Sequence, residues 1–241
     1  MRATEFEFRN RWWVIFAIFF AAFGAYAIDH VNFAQAIVEW IARRMGTSAT
    51  DNQLRLIFAL GALLLVLAAF LRTWGTSYLQ ADVMRDWRVH TERLLADGPY
   101  RFVRNPLYLG NILMAVSIGL MASRTGFVIL SVGMTIVVVR LLLREEFELL
   151  RDLGEPYRRY CDAVPRLVPA LFPRLPSAGD APQWGQGLRA ELMYWLMALA
   201  MGVFAITLKV WLFCSIDAVA IAAAFSYKRP KAMGEPTQDK T

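Results

Sequence analysis

Apolar positions in this chain gather into long blocks and do not alternate with polar ones over short distances. The blocks run over 13–28, 54–71, 107–122, 126–143 and 191–227. Several reach the ~18–20 apolar residues that a helix needs to cross a hydrocarbon core. The pattern predicts an all-α, polytopic transmembrane helical bundle with about five or six membrane helices. Span one covers about 12–31 and ends in Asp29, His30 and Asn32, polar groups suited to the far interface. The stretch VNFAQAIVEWIARRMGTSATDNQ mixes apolar positions with Glu39, Arg43 and Arg44. It reads as a short amphipathic helix on the surface, followed by a Gly/Ser/Thr loop. Span two is expected at about 54–72, span three at 106–122 and span four at 126–143, with a four-residue turn around Ser123-Arg124-Thr125-Gly126.

The last block is longer than one span. Residues 191–227 as a single helix would measure ~55 Å against a core of ~30 Å. Two helical pieces turning near Lys209 are expected, although no glycine or proline marks the turn. Asp217 then lies at membrane depth, where a functional role and a helix-contact role are both open. Three segments follow: residues 1–72 with the N-terminal membrane helices and the surface helix, 73–176 with two membrane helices between polar segments, and 177–241 with a C-terminal membrane helix or hairpin and a charged tail.

Composition sharpens this picture. The chain is 57% hydrophobic with a mean hydropathy of +0.39, above the ~45–50% usual for a soluble domain. A net charge of +6 would suit nucleic acid, but no basic face with interleaved aromatics stands outside the spans, so no nucleic-acid partner is expected. Cys161 and Cys214 are too few and too far apart for a disulfide framework or a thiolate metal site, and no metal is expected. Ala25-Tyr26-Ala27 resembles a signal-peptidase site, but Glu5 and Glu7 dilute the positive start and Trp12-Trp13 suits a retained anchor helix.

Charge also orients the chain. Segment 72–104 carries Arg72, Arg85, Arg88, Arg93, Arg101 and Arg104, and segment 144–190 carries Arg144, Arg151, Arg158, Arg159, Arg166, Arg174 and Arg189. The other side holds little beyond Arg43, Arg44, Arg55 and Arg124. The positive-inside rule puts both polar segments and the N-terminus in the cytoplasm, where the two segments can form one site.

The chemistry concentrates in two stretches. In GPYRFVRNPLYLG, residues 98–110, Asp97-Gly98-Pro99 is a turn signal and Pro106 suits the first position of a helix. That helix start, with Arg101 and Arg104 beside it, attracts carboxylate or phosphate, and lipid headgroups are one candidate. Gly110 permits either a close ligand approach or close helix packing. In REEFELLRDLGEPYRRYCDAVPRLVP, Glu145 and Glu146 leave span four as either a solvated cap or a cation site. Pairing with Arg140 and Arg144 on the same helix is the plain alternative.

These stretches, with His90-Thr91, resemble the isoprenylcysteine carboxyl methyltransferase family and its phospholipid methyltransferase relatives. The resemblance covers about 88–170. It implies a helical membrane enzyme that binds S-adenosylmethionine in a cytoplasmic-face pocket and methylates a lipophilic acceptor, a phospholipid amine or a lipid-like or prenylated carboxylate. Carried over by position, His90, Gly98, Tyr100, Arg104, Asn105, Pro106, Tyr108, Gly110, Glu145 and Glu146 line the cofactor pocket. Tyr157, Tyr160 and Arg166 close it, and Arg104, Glu146 and Arg166 are the implied catalytic residues. The family's usual R-H-P is R-N-P here, so the titrating imidazole is replaced by an amide at Asn105. Cys161-Asp162-Ala163 precedes Val164-Pro165 where prenylcysteine-specific members are basic, which weakens a carboxylate acceptor. Two other readings of the same residues remain: a nucleotide-dependent membrane reductase of sterol-like substrates, and a non-enzymatic subunit binding anionic lipid.

Overall fold

The computed structural model describes residues 2–79 and 96–226, and its regular elements are helices. A short helix α1 (Glu5–Arg9) precedes α2 (Arg11–Gly24), which ends in a 3-10 turn over Ala25–Ala27. The surface helix α3 (Phe33–Met45) and the long α4 (Asp51–Tyr78) follow. After a 3-10 turn over Gly98–Arg101 come α5 (Pro106–Gly119), α6 (Arg124–Leu153) and α7 (Glu155–Ala163). The chain finishes in α8 (Trp184–Ala190), α9 (Leu192–Thr207) and α10 (Val210–Ser226).

Local chemistry sets the helix starts. Thr50 and Gln53 form a capping box at α4, and the Asn32 and Ser123 side chains cap α3 and α6. Because Ser123 is the cap of α6, the predicted turn at 123–126 shifts back by about three residues, and Gly126 lies inside the helix. There a Cβ would stand 2.2 Å from the Ala22 carbonyl oxygen, so glycine is what lets α2 cross α6 at contact distance. Asp29 ties the same end together. It accepts bonds from Arg124 Nη2 (3.0 Å), the Thr125 backbone N–H (2.9 Å) and the Thr125 hydroxyl (3.1 Å).

Helix lengths give fewer full spans than the sequence pattern predicts. Among the described residues, α4 and α6 are long and apolar enough to cross a membrane, and α8 with α9 makes a third if that pair, bent by 64°, is one span. The other apolar helices, at 11–27, 106–119 and 210–222, are shorter, because polar groups such as Asp29 and the break at Leu120 end them early. The predicted division of 191–227 near Lys209 is present. Leu208 closes α9 in the left-handed conformation (φ 55°), so a leucine takes the position that a glycine would normally mark.

Leu65, Leu130, Met134, Leu142 and Met201 form the fully buried centre of the core, contributed by α4, α6 and α9. Trp12, Trp13, Phe16, Leu60, Leu63, Val128 and Val132 point outward on α2, α4 and α6, the side-chain distribution of a membrane protein. Asp217 is half-buried on α10.

The N-terminus is pinned to the exit end of α6. Ala3 N–H donates to the Arg140 carbonyl (3.0 Å), Arg140 Nη2 to Glu7 (2.7 Å), and Arg144 to Glu5 and to Glu148. Arg140 and Arg144, the expected partners of Glu145 and Glu146 in the plain reading, are thus taken by α1 and Glu148. The Arg140 guanidinium and the Thr4 backbone N–H hold the Glu7 carboxyl at about 2, below its ordinary 4.5. A carboxyl depressed on folding stabilises above its free value and loses that contribution as pH falls through the folded one. The stability gap between wild type and Glu7→Gln is therefore full above pH 4.5 and closes toward pH 2, a trend that thermal unfolding across this window checks.

Candidate functional site

The corner between α4 and α5 is built on Gly98. Its φ of +54° suits glycine, and a Cβ would stand 2.4 Å from the Tyr78 ring. Asp97, just before it, accepts from the Ser177 hydroxyl and the Asp180 backbone N–H. Tyr100 follows, with its hydroxyl 3.4 Å from the Gly75 carbonyl and its phenol held neutral by burial.

This corner is laced to the segment after α7. Arg104 N–H donates to the Pro165 carbonyl (2.9 Å), Ala170 N–H to Phe102 (2.9 Å) and Arg174 N–H to Arg101 (2.8 Å). Arg101 Nε donates to the Leu175 carbonyl (2.9 Å), so this arginine serves the packing of the corner. The Tyr160 hydroxyl donates to the Tyr100 carbonyl (2.9 Å), and an Arg104 guanidinium N–H to Cys161. Tyr157 and Tyr160 are buried with Val164 and Leu175 in a small second core beneath the corner. Burial raises both phenols and the Cys161 thiol, so all three keep their protons at neutral pH.

Glu146 is where the two predicted stretches meet. It is 8% exposed, and a carboxylate at such depth must be paired. Asn105 Nδ2 donates to its Oε1 (3.0 Å) and Arg166 Nε to its Oε2 (2.9 Å). Arg104 Nε is 3.1 Å from Oε1, yet that buried N–H makes no hydrogen bond among the described residues. Asn105 Nδ2 also reaches the Arg166 carbonyl (3.2 Å). All three implied catalytic residues therefore share one cluster, and the amide in the RNP motif acts there as a donor. An imidazole could supply one such donor and an acid-base function besides; the asparagine supplies only hydrogen bonds.

Glu145 has a different role. Half-buried on α6, it accepts from the Tyr108 hydroxyl (2.7 Å), a neutral partner that leaves its charge uncompensated by any ion pair among the described residues. Pro106 occupies the first turn of α5 and is buried. Gly110 faces α4, where a Cβ would stand 2.5 Å from the Arg72 side chain; this is the close-packing alternative of the two read from sequence. His90 lies outside the described residues.

The structure adds a cluster that sequence reading passed over. Arg72, expected as the first residue of a polar segment, is instead half-buried on α4 and forms an ion pair with Glu191 (2.6 Å), itself 4% exposed between α8 and α9. Thr76 donates to Glu191 (2.8 Å), and Asn111 accepts from Arg72 (2.7 Å) and Tyr194 (2.5 Å). The signal available in the sequence was the pairing of opposite charges at the boundaries of two apolar blocks on the same side.

Two groups fit a zwitterionic nucleoside cofactor of the kind the resemblance implies. Among the described residues Glu145 offers a carboxylate in no ion pair, and Arg104 offers an orphaned buried donor. The Glu146 cluster also yields a stability prediction. Asn105→Asp replaces its donor by a second carboxylate at 3.0 Å, and the protein is expected to lose ~3–5 kcal/mol, as when a buried ion pair loses one partner, whereas Asn105→His keeps one donor and loses less. Thermal unfolding of the detergent-solubilised variants measures both.

The sequence model of the phospholipid methyltransferase family matches residues 56–154, which run from α4 through the corner and α5 to the end of α6. No curated protein and no solved structure matches the chain. The matched stretch includes Arg104, Asn105, Tyr108, Glu145 and Glu146 and ends just before α7. Over residues 56–154 the chain is similar to the phospholipid methyltransferases, the family that its Gly98–Gly110 and Glu145-Glu146 stretches resemble, and that family points to a membrane methyltransferase acting on lipids.

Proposed function

We propose that the protein is an integral-membrane, S-adenosylmethionine-dependent methyltransferase whose site faces the cytoplasm and whose acceptor is a phospholipid amine. The observation that carries this reading is the convergence on Glu146 of Asn105, Arg104 and Arg166, beside a Glu145 that accepts from Tyr108. The match to the phospholipid methyltransferase family supports it.

When bound, the cofactor supplies a methyl group on a sulfonium, already activated by its charge, so the protein needs chiefly to align and desolvate the reactants; alignment alone can supply ~7–11 kcal/mol. Glu145 and Tyr108 would hold a cationic group at the head of α5. Arg104 would turn its unused N–H toward a carboxylate, while Glu146 keeps the guanidinium charges of Arg104 and Arg166 in place. Neutral Tyr157 and Tyr160 line the apolar side and exclude water. The excess of arginine on this end supports a cytoplasmic orientation. The exposed Asp162 ahead of Val164-Pro165 favours an amine over a carboxylate acceptor, since no added basic group stands there.

Calorimetry of the purified full-length protein with S-adenosylmethionine tests the reading. Binding to wild type is expected, with at least ~10-fold weaker binding for Glu145→Gln, about the worth of one charge-assisted contact. Incubation with radiolabelled cofactor and total membrane lipid should yield a base-stable lipid product. A base-labile product would shift the acceptor to a carboxylate. No binding and no labelled lipid would overturn the proposal.

A further inference from the structure

Gly110 is the last residue of the GPYRFVRNPLYLG stretch, and its surroundings link the site to a part of the chain beyond the family-matched residues. The stem of Arg72 passes over the face that Gly110 leaves open, since any Cβ there would meet Arg72 Cγ at 2.5 Å and Cδ at 2.9 Å. Having passed, Arg72 grips α5 at two successive turns. Its Nη1 donates to the Leu107 carbonyl (3.1 Å) and to Asn111 Oδ1 (2.7 Å). Residues four apart lie one above the other on a helix face, so this double contact sets both the rotation and the height of α5 against α4. Between those contacts, Tyr108 points to α6 and donates to Glu145. The rotation of α5 thus decides where the Tyr108 hydroxyl and Asn105 stand relative to Glu145 and Glu146.

An arginine cannot be held at this depth alone. Glu191 supplies the counter-charge through two contacts, Nε to Oε2 (2.6 Å) and Nη2 to Oε1 (3.1 Å). The Tyr194 ring lies 4.2 Å from the guanidinium, and its hydroxyl reaches Asn111 at 2.5 Å. Both residues lie beyond the matched stretch 56–154. At their level α8 and α9 bend by 64°, and Gly187 allows α8 to rest directly on the Thr73 carbonyl, where a Cβ would stand 2.6 Å away.

We infer that Glu191 and Tyr194 are positioning residues for the methyl-transfer site, acting through Arg72 and Asn111 on the first two turns of α5, so that the functional unit extends through α9. This inference rests on the proposed function for its kinetic consequence and on the geometry alone for its structural one.

The test uses the full-length protein in lipid nanodiscs, with Glu191→Gln, Glu191→Asp and Tyr194→Phe. Amide hydrogen exchange over residues 106–112 should rise ~10-fold or more in Glu191→Gln while residues 124–138 stay as in wild type. In the methylation assay kcat should fall ~10–100-fold with KM for lipid changed less than about threefold, the signature of misaligned groups. Glu191→Asp should recover much of the loss. Tyr194→Phe removes one hydroxyl and keeps the ring, so it serves if Glu191→Gln does not accumulate; several-fold faster exchange at 106–112 is expected. Unchanged exchange at 106–112, or an unchanged kcat per folded molecule, overturns the inference. A wild type without methyl transfer sinks the proposed function instead, and the exchange data still judge the positioning role.

Discussion

A carboxylate cannot sit at 8% exposure without donors around it, and the Glu146 carboxylate draws its donors from both sides of the chain. Asn105 and Arg104 come from the turn entering α5, and Arg166 comes from the segment after α7. The rest of the site follows from satisfying this one group. With the segment around Arg166 drawn in, the backbone of 165–174 bonds along the Arg101–Arg104 corner, and Tyr157 and Tyr160 are carried beneath it. The family-matched stretch ends at 154, yet Glu146 inside it is completed by a residue outside it.

Much of the architecture was legible because the bilayer imposes long uniform blocks on a sequence. Two features resisted. Among the described residues fewer helices reach full crossing length than there are apolar blocks, since a block can be apolar and its helix still short once Asp29, or the break at Leu120, stops it. The turn at 208 carries no glycine because Leu208 itself adopts the left-handed conformation, at a cost of about 1–2 kcal/mol that packing of the hairpin must offset.

The candidate site was legible to the extent that motif residues carry it. Arg104, Asn105, Glu146 and Arg166 were read as one group, and they meet. The plain pairing of Arg140 and Arg144 with Glu145 and Glu146 was also open in the sequence; the acids Glu5 and Glu7, 130 or more positions away, take those arginines instead. Arg72 and Glu191 were passed over for a related reason. Each looks like an ordinary boundary charge, and only the antiparallel packing of α4 and α9 reveals that they face each other. Long-range charge pairing is a property of topology, which residue spacing does not encode.

The length of α6 has a consequence for how a substrate would be handled. At 1.5 Å per residue its 30 residues extend ~45 Å, well past a ~30 Å core, and the strongly apolar run ends at Leu143, with Arg144 between it and the acids. With α6 crossing a bilayer, Glu145 and Glu146 would stand at headgroup depth, within a turn of the acyl-chain boundary. A lipid drifting sideways within its leaflet would bring its polar end to this level while its tails stay dissolved. Turnover would then depend on two-dimensional diffusion, with no need to pull the molecule out of the bilayer.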